Sequence, residues 1–292
     1  MSSWVFKSEW SRGGRNLVLS LGHDEILVWF FRPDIVEDRH LAAFGQVLDD
    51  AERARAGRFH FPEDSRSYCC AHALGRCVLQ AATGVPARDI RFRNNAHGKP
   101  ELDGEPGVSG LRFNLSHTRG LVCCGITRSR DLGVDVECVS RDVDIDDLAR
   151  RVFAPEEVVS LQGLAEEAHC EAFYSIWVLK EAYTKAVGRG LSIPLDGFSI
   201  RLDPPCIEIG ALLRGDPDAG STDEWDVRLM HPVPGYVLAA AVRAAPGDGM
   251  LYRFCEMTPD ALASLCGDPD GEEGGLSILD GGLDISPNMH GG

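Results

Sequence analysis

Leu132-Gly133-Val134-Asp135-Val136-Glu137 and, about forty residues further on, Trp177-Val178-Leu179-Lys180-Glu181-Ala182-Tyr183-Thr184-Lys185 decide how this chain is read. The first segment alternates apolar and acidic residues, which predicts a short strand. Asp135 and Glu137 then share one face, and Val134 and Val136 point into a core. The second predicts a helix over about 168–187. Its apolar positions Ala172, Phe173, Ile176, Leu179, Tyr183, Ala186 and Val187 form one face, leaving Glu181, Thr184 and Lys185 on another. Glu181 and Lys185 are four apart and therefore neighbours. Gly188 and Gly190 close the helix. Two carboxylates on a strand and one on a helix can surround a hard divalent cation, and Mg²⁺ favours such sparse ligation completed by water and phosphates. A lysine one turn away can meet a phosphate. On these residues alone plainer readings stay open. Asp135 and Glu137 can be an exposed strand face, and Glu181 with Lys185 a surface pair worth a few tenths of a kcal/mol.

Two more segments lie upstream. Phe113-Asn114-Leu115-Ser116-His117-Thr118 predicts a strand, and His97-Gly98-Lys99-Pro100 a turn. Adjacent strand residues face opposite ways, so Ser116 and His117 do not activate one another as nucleophile and base. Anion binding and a strand-end turn are the readings left for them. In order and spacing the four segments resemble the 4′-phosphopantetheinyl transferases, specifically the long, Sfp-type branch that activates carrier proteins. The family pattern is G-[IV]-D-[IVL]-E followed by W-x-x-K-E-[AS]-x-x-K, and both parts fit. The resemblance runs from about Ala51 to about Arg243.

The resemblance implies an α+β fold of two similar halves, a pseudo-dimer with the active site between them. It implies transfer of 4′-phosphopantetheine from coenzyme A to a serine of an apo acyl or peptidyl carrier protein, with Mg²⁺ held by Asp135, Glu137 and Glu181. Glu181 and Lys185 become the catalytic pair. Arg55, Asn94, Asn95, Lys99, Asn114, Ser116, His117 and Lys185 become coenzyme A contacts, with Arg55 at a basic position that meets the 3′-phosphate. Glu52 stands where relatives can carry a basic residue. The carrier is expected near the helical region 140–175. Two rival readings are a non-catalytic coenzyme A-binding module and another carboxylate-metal enzyme acting on nucleotides.

Composition narrows the classes. The chain has 292 residues, 44% of them hydrophobic, and a formal net charge of −16. That charge argues against a general nucleic-acid or anionic-membrane binder. Phosphate handling then needs cations concentrated locally, and Arg53, Arg55, Arg58, Arg66 and Lys99 are candidates. The ten cysteines include no C-x-x-C pair. They read as reduced, mostly buried thiols of a cytoplasmic protein. No apolar run approaches the length of a membrane span. Because one chain supplies both halves, a monomer is expected.

The expected organisation is an N-terminal arm over 1–24, poorly ordered or an added strand, then one α+β half over 25–130 and a second over 131–258. Helices are expected at about 39–56 and 64–83 in the first half. In the second they are expected at 144–152, 155–165 and 168–187. Arg76, on the second of these helices, reads equally as a solvated helix face. Residues 259–292 are expected to be a Gly/Asp-rich tail. Its 267–292 part holds six acids and no Lys or Arg, which predicts disorder.

Overall fold

The computed structural model describes residues 8–10, 17–104, 110–140, 144–267 and 277–279. In chain order the elements are β1 (Ser8–Trp10), β2 (Leu17–Leu19), β3 (Glu25–Phe31), α1 (Asp38–Val47), α2 (Asp50–Ala56), α3 (Pro62–Thr83), β4 (Arg91–Asn94), β5 (Pro100–Asp103), β6 (Leu111–Thr118) and β7 (Leu121–Arg128). They continue as β8 (Leu132–Cys138), α4 (Ile145–Val152), α5 (Pro155–Gln162), α6 (Glu166–Val187), β9 (Phe198–Leu202), β10 (Pro205–Ile209), β11 (Trp225–Met230), β12 (Tyr236–Arg243), β13 (Leu251–Glu256), α7 (Pro259–Leu265) and β14 (Ser277–Leu279). The mixture of helices and sheets is the α+β class expected. No helix among the described residues is long and apolar enough to cross a membrane.

Two sheets dominate, a five-stranded one in the order β14-β13-β3-β7-β6 and a three-stranded one in the order β11-β12-β8. Alternation within single strands shows how they stack. In β3, Leu27, Trp29 and Phe31 join a core with α1, α3 and α7, whereas Ile26, Val28 and Phe30 join a second core with Val134, Val136, Leu238 and Ala240 of the other sheet. In β12, Val237, Ala239 and Ala241 face a third core built on α6. Two helix-covered sheets therefore pack face to face, and the central strands β3, β7 and β12 bury both of their faces. Glycine permits the closest approaches. A Cβ on Gly133 would run into the backbone of α6 at Ala182 and Ala186, and one on Gly125 would strike Val134.

Several boundaries differ from the sequence reading. The stretch 39–56 is two helices, because Asp49 accepts the Glu52 backbone N–H at 2.8 Å while the Glu52 carboxylate accepts that of Asp49 at 2.9 Å. This reciprocal capping starts a new helix. Residues 259–265 are not tail. They form α7, whose Ala261, Leu262, Ala263 and Leu265 are buried in the first core. The 131–258 boundary shifts too, since β13 runs parallel to β3 in the first half's sheet. The N-terminal arm contributes the β1–β2 pair, with Leu19 and Leu21 buried in the first core. Ser277–Leu279 pairs with β13 as an edge strand, so this stretch is ordered where disorder was expected. Residues 268–276 and 280–292 of the expected tail lie outside the described residues.

Candidate active site

β6 and β8 run beside each other where the two sheets meet, and side chains stitch them together in steps. The Asn114 side-chain Oδ1 accepts the Val134 N–H at 2.8 Å. Ser116 Oγ donates to Asp135 Oδ1 at 2.7 Å. Thr118 Oγ1 donates to Glu137 Oε2 at 3.0 Å. The period-2 geometry of both strands produces this ladder. It also puts Asp135 and Glu137 on the α6 side of β8, as the alternation requires.

α6 completes the site. Lys185 Nζ lies 2.5 Å from Asp135 Oδ1 and donates to Ser116 Oγ at 2.8 Å. Burial alone would lower the lysine pKa, but the adjoining Asp135 carboxylate raises it overall, so the ammonium stays charged. Burial, then Asp135, raises the pKa of Glu137 and of Glu181, against the opposing pull of Thr118 and Lys185 respectively. Cys123 also lies beside this cluster. Burial pushes its thiol up to about 12, which removes it as a nucleophile at neutral pH.

A cation fits the chemistry of this donor set. Asp135 is 4% exposed, and its Oδ2 is buried with no hydrogen-bond partner among the described residues. An orphaned carboxylate oxygen next to two carboxylates whose ionisation is opposed by burial is an electrostatic arrangement that a divalent ion relieves. The ring is not closed, however. Among the described residues no three His, Cys, Asp or Glu side chains stand close enough to hold a metal on their own. Substrate oxygens and water would have to supply the rest, which is the usual pattern for Mg²⁺.

Several residues expected to touch substrate are engaged elsewhere. Asn114 braces β8, as described. Asn95 Oδ1 accepts the N–H groups of His97 and Lys99 at 2.8 and 2.9 Å, and its Nδ2 donates to the Gly188 carbonyl at 2.9 Å. Lys99 Nζ donates to the carbonyls of Leu132 and Ala186 at 3.0 and 3.1 Å, tying the turn to β8 and to the end of α6. Burial lowers its pKa to about 8. These three hold the frame of the site. Asn94 is exposed at the end of β4. His117 sits at a groove of 1320 Å³ lined also by Phe59, Phe61, Thr118 and Tyr236. Partial desolvation by the surrounding protein, then the Lys185 charge, lowers its pKa. Arg55 is exposed and stacks over Tyr68, 5.6 Å from the ring centroid. A second cleft, of 380 Å³, is lined by His97, Lys99, Glu181, Thr184 and Lys185. Lys185 of the Ser116–Asp135–Lys185 cluster lines the second cleft, and Ser116 adjoins His117 of the first groove.

Three features escaped the sequence reading. Thr118 anchors Glu137, and its place two residues after Ser116 was the available signal. Lys180 turns away from Glu181 into the protein, where it meets Glu157 of α5 at 2.8 Å with both side chains almost fully buried. Arg76 is no solvated helix face. It is 1% exposed and pairs with Glu52 at 2.7 Å and Asp49 at 2.8 Å. Glu52 is thereby committed to Arg76 and His72, not left as a stray acid near the expected phosphate site.

Comparison with known proteins places the same segments. Residues 131–240 match the model of the 4′-phosphopantetheinyl transferase superfamily. Residues 36–126 match that of the 4′-phosphopantetheinyl transferase N-terminal region. The 4′-phosphopantetheinyl transferase HetI of Nostoc sp. is 36% identical over 186 residues, 64% of this chain and 78% of that protein. The 4′-phosphopantetheinyl transferase Sfp of Bacillus subtilis is 31% identical over 159 residues, 54% of this chain and 68% of that protein.

Proposed function

The chain belongs to the 4′-phosphopantetheinyl transferase family, and we propose that it transfers the 4′-phosphopantetheine arm of coenzyme A to a serine hydroxyl of an apo acyl or peptidyl carrier protein, leaving adenosine 3′,5′-bisphosphate. The observation that carries the reading is the buried, unpartnered Oδ2 of Asp135 beside Glu137, Glu181 and the Lys185 ammonium.

The reaction forms a bond from the serine oxygen to the β-phosphorus and breaks the bond to the departing bisphosphate oxygen. Glu181 takes the serine proton. Its pKa, raised by burial and by Asp135, makes it a stronger base than an ordinary carboxylate. Lys185 lies one helical turn away and, charged in this setting, donates to the phosphate oxygens as their charge grows. Ser116 and Asp135 fix the Lys185 ammonium, so little reorganisation is needed at the moment of reaction. Asp135, Glu137 and Glu181, together with substrate oxygens and water, would hold Mg²⁺, which would supply charge neutralisation at the pyrophosphate. The two openings suit two partners, with coenzyme A reaching the cluster from one side and the carrier approaching along α4 and α5. His117 and Arg55 supply cationic or hydrogen-bonding groups to coenzyme A phosphates. The reading also takes the protein to be a cytoplasmic monomer that binds neither nucleic acid nor membrane. Loss of coenzyme A and appearance of adenosine 3′,5′-bisphosphate, followed by chromatography, test the reaction. Both should depend on an apo carrier. Product formed equally well without a carrier would mark a hydrolase.

A further inference from the structure

A second cavity lies at the start of β8. Just before the strand starts, at Asp131, a cavity of 260 Å³ opens that shares no lining residue with the cleft of Glu181 and Lys185. Arg112, Arg128, Arg130 and Arg243 line it, with His23 and Asp131. These arginines come from β6, the end of β7, the following turn and the end of β12, so the cavity straddles both sheets. In a chain of net charge −16, four guanidiniums around one small cavity are a local reversal of sign.

Two of the four are already neutralised. Arg130 pairs with Asp248 at 2.8 Å, and Arg243 with Glu224 at 2.5 Å. Among the described residues Arg128 uses only its Nε, which donates to the Leu21 carbonyl at 2.9 Å. Neither Arg112 nor Arg128 has a carboxylate within 4.0 Å among the described residues. Backbone geometry adds an independent sign. Ser129, which also lines the cavity, has φ of 56°, the one positive value outside glycine among the described residues. A side chain disfavours that conformation, and such residues cluster at binding sites. The residues on either side of Ser129, Arg128 and Arg130, both line the cavity.

We propose that this cavity is a phosphate site, separate from the transferase centre, for a compact and multiply charged anion such as a phosphate monoester or diphosphate. Planar guanidiniums form paired hydrogen bonds to phosphate oxygens, and several converging forks favour an anion with more than one charge. Among the described residues only one carboxylate, Asp131, stands in the wall against them. An anion held there would bridge groups from both halves of the molecule.

The test uses the full chain and inorganic diphosphate at constant ionic strength, with calorimetry for affinity and hydrogen exchange for location. Saturable binding should slow exchange in residues 110–113 and 128–131. Arg112→Ala with Arg128→Ala should weaken it about tenfold or more, the scale of a lost charged hydrogen bond. If Arg128→Ala unfolds the protein, Arg112→Ala alone carries the test, because that side chain is exposed. Coenzyme A distinguishes the sources of phosphate, and it should leave exchange at 128–131 unchanged. Diphosphate binding that is unaltered in the variants would overturn the proposal. So would protection confined to the Glu181–Lys185 cleft, or protection of 128–131 by coenzyme A.

Discussion

Lys180→Met should destabilise the whole C-terminal half, although the residue points away from the reacting groups. Lys180 is 0% exposed and Glu157 1%. The ammonium donates to Glu157 at 2.8 Å and to the carbonyls of Leu195 and Phe198 at 2.7 Å each. Glu157 also accepts the N–H groups of Ala154 and Ile200 at 2.7 Å. Burial pushes the two groups toward neutrality, lowering the lysine pKa and raising that of the glutamate, and their mutual attraction opposes it. Removing one partner of such a pair leaves an uncompensated buried charge and costs about 3–5 kcal/mol. Lys180→Met additionally strands two carbonyls, while Glu157→Gln keeps an acceptor for one of the two N–H groups. We expect about 4 kcal/mol for the first and about 3 kcal/mol for the second. The double variant should cost at least about 1 kcal/mol less than their sum, because neither charge is then left alone. Urea unfolding followed by circular dichroism measures this as a shift in midpoint at constant slope. Single-variant losses under about 0.5 kcal/mol, the range of surface substitutions, would refute the argument.

Further outcomes follow from the site and the sheet edges. Burial and Asp135 raise the pKa of Glu137 and Glu181 above 4.5 in the folded protein. Their contribution to stability is therefore full below pH 4.5 and is lost as pH rises through the folded values. Mg²⁺ should raise the melting temperature increasingly over that rise and much less in Asp135→Asn, and an equal Mg²⁺ effect in the variant would contradict the assigned ligand. Lys185→Ala should lower kcat by a larger factor than it raises KM for coenzyme A, whereas a pure KM defect would make the lysine a ground-state contact. Truncation after Gly267 should change folding little, since among the described residues it removes only the three-residue β14. Truncation after Thr258 should cost about 4 kcal/mol, because Leu262 and Leu265 of α7 are buried and each is worth about 2 kcal/mol. Equal melting temperatures for the two truncations would return α7 to the tail.

What the sequence made legible was periodic. Alternation in β8 placed Asp135 and Glu137 on one face, and 3.6-residue spacing in α6 separated its core from Glu181 and Lys185. What it left hidden depends on partners far away in the chain. β13 lies more than two hundred residues after β3 yet pairs with it directly, and no local pattern announces a parallel partner. The same holds for Lys99, whose ammonium is taken up by carbonyls of residues 132 and 186. A motif can say that a lysine is required at a turn, but not whether it grips a ligand or the frame around it. Arg76 was misread for a similar reason. Nothing in its helix's own sequence announces that Glu52 and Asp49 of the preceding segment take up the guanidinium.

Intact-mass spectrometry of an apo carrier protein, after incubation with this protein, coenzyme A and Mg²⁺, tests the transfer itself. A panel of fatty-acid, polyketide and peptide-synthetase carriers covers the open choice of acceptor. At least one should gain the mass of a single phosphopantetheine on one serine. The gain should vanish with chelator, with Asp135→Ala and with the acceptor serine changed to alanine. An unchanged mass across the panel, from a folded protein that binds coenzyme A, would contradict the transferase reading and leave a binding module.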